Sequence, residues 1–119
     1  MSRCACLGSF LERFIQPAIL LLLTREPLYG FSLHKKLIDC DYMDYTGIDP
    51  TGLYRMLKKM EEAGLLISEW DLKNAARTKR IYRITEEGRH CLANWGQTLQ
   101  NYKKSVERLA DAVNDSIAD

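Results

Sequence analysis

The chain has 119 residues, 46% hydrophobic and 28% charged, which is the size and make-up of one soluble globular domain. That balance excludes a disordered tail, a collagen-like repeat and a supercharged surface. Net charge is only +1, yet residues 1–50 hold five basic and six acidic groups, residues 51–83 eight and four, and residues 84–119 four and six. The positive charge is concentrated in the centre of the chain, a bias that points to an anionic partner.

The longest apolar run, Pro17 to Leu23, is seven residues, well short of the roughly 20 that a membrane helix needs. Arg3 ahead of Phe14–Leu23 has a faint likeness to a signal peptide. However, Glu12 and Arg13 interrupt it, and the segment Thr24-Arg25-Glu26-Pro27 offers no small-residue cleavage site. The four cysteines, Cys4, Cys6, Cys40 and Cys91, are too few and too irregular for a secreted disulfide scaffold. A cytoplasmic protein with reduced thiols and no membrane segment is expected.

In chain order, Ser9 with Glu12 three residues later is a capping-box signal for a short first helix. Pro17 must then either kink that helix or restart it in a first turn. Ala18–Leu23, apolar on every side, reads as a buried helix stopped by Pro27. A second helix from Gly30 to about Ile38 buries Leu33 and Leu37 and exposes His34, Lys35 and Lys36. A polar loop ends at Asp49, a helix cap, with Pro50 in the first helical position. Ile48 and Leu53 have the spacing of a hydrophobic staple. The stripe of Leu53, Leu57 and Met60, with Met56 beside it, runs to the stop at Gly64. Leu66–Asp71 and Arg80–Thr85 alternate in part and read as a β-hairpin, with the polar link Leu72–Lys79 between them. Thr85 caps the last helix, with Glu86 and Glu87 at its positive end. Along that helix Leu92, Trp95, Leu99, Tyr102, Val106, Leu109 and Val113 recur at steps of three and four, the period of a coiled-coil seam.

Three helices followed by a hairpin are the order of a winged helix-turn-helix, so the fold class is mainly α (α+β): a two-stranded wing and a long C-terminal dimerisation helix. Residues 1–85 form the winged helix-turn-helix domain with its N-terminal helix, and residues 86–119 the dimerisation helix. The inward stripe turns Thr51, Arg55, Lys58, Lys59 and Glu62 outward and leaves Tyr54 at the boundary. Cations on the helix, joined by Lys73, Arg77, Lys79, Arg80 and Arg83 on the hairpin, suit a helix entering a groove between phosphates. Alternation puts Arg77 and Lys79 on one side of the strand and Arg80, Tyr82 and Ile84 on the other.

Pro17 with Leu20–Leu23, Pro27-Leu28-Tyr29-Gly30-Phe31, Leu53-Tyr54-Arg55 with Leu57, and Glu61-Glu62-Ala63-Gly64-Leu65 occur in this order. They are followed by Arg80-Ile81-Tyr82-Arg83-Ile84-Thr85 and Glu86-Glu87-Gly88. Over residues 13–95 this series resembles the PadR family of bacterial transcriptional regulators. The resemblance implies a winged-helix homodimer that binds an inverted repeat in double-stranded DNA and represses until an effector arrives. It implies DNA contacts from Thr51, Tyr54, Arg55 and Lys58, and further contacts from Tyr29, Arg77 and Lys79; Arg80 belongs to the same basic wing. Two features depart from the family pattern. Thr51 precedes Gly52, whereas the family pattern has the glycine ahead of the threonine. Gly52 costs about 1 kcal/mol of helix propensity but would let a phosphate approach the backbone. The wing also lacks the usual glycines, leaving Asn74 for its tight turn.

Trp95 and Tyr102 have two readings: packing residues of the seam, or the walls of a site for a small aromatic effector at the dimer interface. Cys4 and Cys6 form one pair at the wrong spacing for a structural zinc site. They read as reduced bystanders, with a metal site or thiol switch as the alternatives; no metal and no cofactor are expected. Nothing resembles a phosphate loop or a nucleophile elbow, so an enzyme is not expected. The remaining alternative is a winged-helix protein-interaction adaptor without sequence-specific DNA binding.

Overall fold

A computed structural model describes residues 14–73 and 79–118; the capping-box pair Ser9 and Glu12, the cysteines Cys4 and Cys6, the turn residue Asn74, and Arg77 lie outside them. The chain runs α1 (Ile15–Arg25), β1 (Leu28–Tyr29), α2 (Gly30–Asp39), α3 (Pro50–Glu62), β2 (Leu66–Asp71), β3 (Lys79–Ile84) and α4 (Glu86–Ala118). Pro17 does not kink α1. It lies buried in the first turn, where its missing N–H would have had no helical partner.

The core is one cluster. Ile19, Leu20, Leu33, Leu37, Leu53, Leu57, Met60 and Leu66 are each at most 1% exposed, and each such side chain contributes roughly 1.5–3 kcal/mol by leaving water. Tyr45, from the polar loop, joins them, and its hydroxyl donates to the Phe14 carbonyl at 2.8 Å. Burial, with a smaller push from Cys40, raises its pKa to about 12. His34 is half-buried rather than free, because its Nε2 meets the Ile48 carbonyl at 3.0 Å and ties α2 to the loop before α3.

The wing is the outer part of a three-stranded antiparallel sheet in the order β1-β3-β2. The third strand, Leu28–Tyr29, is only two residues long and pairs Leu28 with Tyr82 and Tyr29 with Ile81. Strand β3 begins at Lys79 and is in register with β2, so that Trp70 faces Arg80 and Asp71 faces Lys79. One sheet face carries Leu28, Leu66 and Tyr82 into the core. Side chains alternate along a strand, so Trp70 and Arg80 share that inner face beyond the edge of the core, while Tyr29, Lys79, Ile81 and Arg83 stand on the outer one.

Helix α3 starts as its sequence demands: Asp49 Oδ1 accepts from the Gly52 N–H at 2.5 Å, with Pro50 in the first position. Gly52 therefore serves the cap. The helix stops at Gly64, which has a positive φ of 80°, a conformation that side chains with a Cβ resist. Thr85 caps α4 by accepting from the Gly88 N–H at 3.0 Å, and donates to the Gly64 carbonyl at 2.7 Å. Helix α4 then continues for 33 residues.

Candidate nucleic-acid interface

Helices α2 and α3, joined by a loop and followed by the hairpin, define a winged helix-turn-helix with α3 in the recognition position. With Leu53, Leu57 and Met60 buried, α3 leaves Thr51, Tyr54, Arg55, Lys58, Lys59 and Glu62 exposed. Glu61, at the edge, accepts from the Ser68 hydroxyl at 2.6 Å and fastens α3 to β2. Tyr54 is 45% exposed and lies across the first residue of α2. A Cβ on Gly30 would collide with its ring and sit 2.8 Å from its hydroxyl. Glycine at that position is what allows the ring to approach the α2 backbone so closely.

Lys79 and Arg80 are neighbours in sequence and stand on opposite faces of the sheet. On the outer face the Tyr29 and Phe31 rings stack, with centroids 6.4 Å apart and planes 13° apart. The Lys79 ammonium lies 5.3 Å from one centroid and 5.1 Å from the other, within cation–π range. The Tyr29 hydroxyl donates to Asp71 Oδ2. That bond holds the Asp71 carboxyl below the usual carboxylate range, helped by the Lys73 N–H, and the same bond raises the Tyr29 pKa. Also on this face, Arg83 pairs with Glu69 at 3.5 Å.

On the inner face Arg80 lies over the Trp70 ring, its guanidinium carbon 4.7 Å from the centroid. Two residues along, the buried Tyr82 hydroxyl has its pKa raised by desolvation; the Arg80 guanidinium pulls it back, and Glu61 and Tyr54 push it up. Ser68, on this same face, bonds Glu61 of α3, so Arg80 sits on the side of the wing that faces α3.

Tyr29, Tyr54 and Lys79 lie around the start of α2, Arg80 stands apart on the inner sheet face over Trp70, and Thr51, Arg55 and Lys58 are exposed along α3. Phe31, Trp70 and Asp71 were absent from the residues expected at this site. For Trp70 the signal was present: a large apolar residue on a basic hairpin, cross-strand from an arginine.

The seam of α4 divides in two. Leu92 and Trp95 are half-buried against the core of their own chain, and the Trp95 indole N–H donates to Gln16 Oε1 of α1 at 2.8 Å. Tyr102 meets Phe14 edge-on, with centroids 6.1 Å apart at 79°. Trp95 is therefore engaged inside one chain, because α1 lies against the first turns of α4. Tyr102 is nonetheless 49% exposed; Leu99, Val106, Leu109 and Val113 are 37–66% exposed, and Ile117 extends the stripe at 74%. Among the described residues no group of three or more His, Cys, Asp and Glu side chains could hold a metal ion. No described helix is long and apolar enough to cross a membrane.

Known proteins place this arrangement among transcriptional regulators. Residues 19–94 match the family model described as the transcriptional regulator PadR-like family. A transcriptional regulator of Thermoplasma acidophilum is similar at 29% identity and a TM-score of 0.72, over 85% of this chain and 94% of its own. A PadR family transcriptional regulator of Eggerthella lenta is similar at 28% identity and a TM-score of 0.67, over 87% and 91%. A PadR-like transcriptional regulator of Bacillus cereus, at 22% identity and a TM-score of 0.72 over 86% and 96%, shares the fold. Among curated proteins, none matches. The fold and its basic face define a winged-helix transcriptional regulator. The chain belongs to the PadR-like family, a family of regulators rather than enzymes.

Proposed function

We propose that the chain is a homodimeric, cytoplasmic repressor that binds an inverted repeat in double-stranded DNA and is released by a small aromatic effector. The observation that carries the reading is the exposed set of Tyr54, Arg55 and Lys58 on α3, with Arg80 on the α3 side of the wing and Lys79 on its outer face. Two basic elements converge around one helix, as a groove between phosphates requires. Arg55 is the base-reading residue, with Thr51 and Tyr54 beside it; Lys58, Tyr29, Lys79 and Arg77 supply backbone contacts.

Dimerisation is supported by the exposed stripe from Leu99 to Ile117, apolar surface that a lone helix would leave in water. Residues 86–119 then serve twice: Leu92 and Trp95 brace the DNA-binding domain of residues 1–85, and the following turns join two copies. The effector reading rests on Trp95 and Tyr102, whose rings line the α1–α4 contact where an amide, Gln16, already supplies a polar group.

Selection of bound sequences from random duplexes, followed by titration at several salt concentrations, tests the DNA reading. A selected inverted repeat, bound with an affinity that falls steeply as salt rises, is expected. Replacing Arg55 with Ala should cost about 1–3 kcal/mol and relax base preference. Association only with other proteins, indifferent to duplex DNA, would instead establish an adaptor. For the effector, a Trp70→Phe protein leaves Trp95 as the sole reporter, since the chain has two tryptophans. Saturable quenching by a planar aromatic that also weakens DNA binding is expected. No quenching by any compound, with Trp95→Ala unfolding the protein, would make the ring structural.

A further inference from the structure

We propose that Trp70 is a positioning residue of the DNA interface, whose indole carries the Arg80 guanidinium and presents it to a phosphate of the duplex. This rests on the DNA-binding reading above and names a part of it that neither the fold nor family membership assigns.

Trp70 is 55% exposed, so packing in the core does not explain it. Leu72, just past the end of β2, is 73% exposed, so the apolar surface lies open on a hairpin whose described cations are Lys73, Lys79, Arg80 and Arg83. What Trp70 does touch is its cross-strand partner. Trp70 and Arg80 are paired in register, and the guanidinium carbon lies 4.7 Å from the ring centroid, with indole the strongest cation–π acceptor among side chains.

The two wing arginines make a useful contrast. Arg83, on the outer face, spends the edge of its guanidinium on Glu69 at 3.5 Å. Arg80 has no carboxylate within ion-pair distance among the described residues. Stacking engages the flat face of the guanidinium; one side of its edge is turned to the Tyr82 hydroxyl, and the remaining N–H donors match a phosphate in a bidentate fork. A stacked arginine has lost rotamer freedom before binding, so less is lost when the phosphate arrives. Its placement fits that occupant. Arg80 shares a sheet face with the buried Tyr82 and stands on the α3 side of the wing, where a groove wall would pass between Arg55 and the hairpin.

The test is a double-mutant cycle in the full chain, read by anisotropy of a labelled, selected duplex at several salt concentrations. Arg80→Ala is expected to weaken all sequences alike and to lower the salt slope by about one. Trp70→Ala is expected to weaken binding about 2- to 5-fold, the scale of an exposed cation–π pair, with Trp70→Phe in between and Trp70→Leu as poor as alanine. In the Arg80→Ala background Trp70→Ala should change nothing further. Thermal melts should show these exposed-site variants folded, and in a Trp95→Phe protein DNA should alter Trp70 emission. Salt-independent or absent binding by the unmodified protein would overturn the DNA reading and this proposal together. If that protein binds as expected, wild-type affinity in Trp70→Ala, retention of affinity in Trp70→Leu, or an undiminished Trp70→Ala loss without Arg80 would overturn the positioning role alone.

Discussion

The winged-helix head and the distal half of α4 are built from the same aliphatic and aromatic residues and treat them in opposite ways. In the head, Leu53, Leu57 and Leu66 are at most 1% exposed within a single chain. In the distal helix, Leu99 is 37% exposed, Leu109 66% and Ile117 74%. Burial of apolar surface drives both folding and association, so the head has already gained within one chain what the proposed dimer would supply to the distal helix. The dividing point is the α1–α4 contact, where Gln16 and Phe14 reach Trp95 and Tyr102.

The sharpest way to break this comparison is to cut the chain after Thr98, which leaves Leu92 and Trp95 on the head and removes the exposed stripe. A folded monomer with no detectable dimer is expected by light scattering and circular dichroism; an intact dimer would place the interface elsewhere. A paired substitution follows. Leu57→Ala should cost about 2–5 kcal/mol of stability at every protein concentration. Leu109→Ala should lower the melting temperature by an amount that grows as the protein is diluted, because only association is weakened. Equal behaviour of the two variants in thermal melts would erase the distinction between head and distal helix.

Within the head, removing the α3 cap by Asp49→Ala should cost about 1 kcal/mol, measured by urea unfolding. The smallest expected effect is at the wing. The Asp71 carboxyl has a folded pKa below its ordinary value because the Tyr29 hydroxyl donates to it. Its contribution is therefore complete above the unfolded carboxylate pKa, about 4, and is lost as pH falls through the lower folded value. Paired melts of wild type and Asp71→Asn should differ slightly at neutral pH and converge in acid. A difference that grows in acid would contradict the bond.

Much of this was legible because single residues have strong local rules. Asp49-Pro50 announced the start of α3, Gly64 its end and Thr85 the start of α4, each by satisfying or avoiding a backbone group. The parts that were not legible depend on register. Two residues, Leu28 and Tyr29, show no alternation, so β1 and its stacking partner Phe31 went unseen. Tyr45 sits in a run of aspartates and looks like a loop residue, yet the Phe14 carbonyl draws its hydroxyl inward. A three-four period shows that α4 has an apolar face but not what covers it. Leu92 and Trp95 therefore read as seam, and the period gives no sign that both are half-buried against their own chain's core, Trp95 through Gln16 of α1. Strand alternation separated Lys79 from Arg80, whereas only the pairing of β2 with β3 shows that Arg80 falls on Trp70 and on the α3 side.

The account rests on one combined claim, that two chains joined through the distal α4 present two basic faces to one duplex. Sedimentation velocity of the full chain with a labelled, selected duplex tests it directly. Two protein chains per duplex, in a complex that dissociates steeply as salt rises, is the expected result. A single chain per duplex, or a complex indifferent to salt, would contradict it.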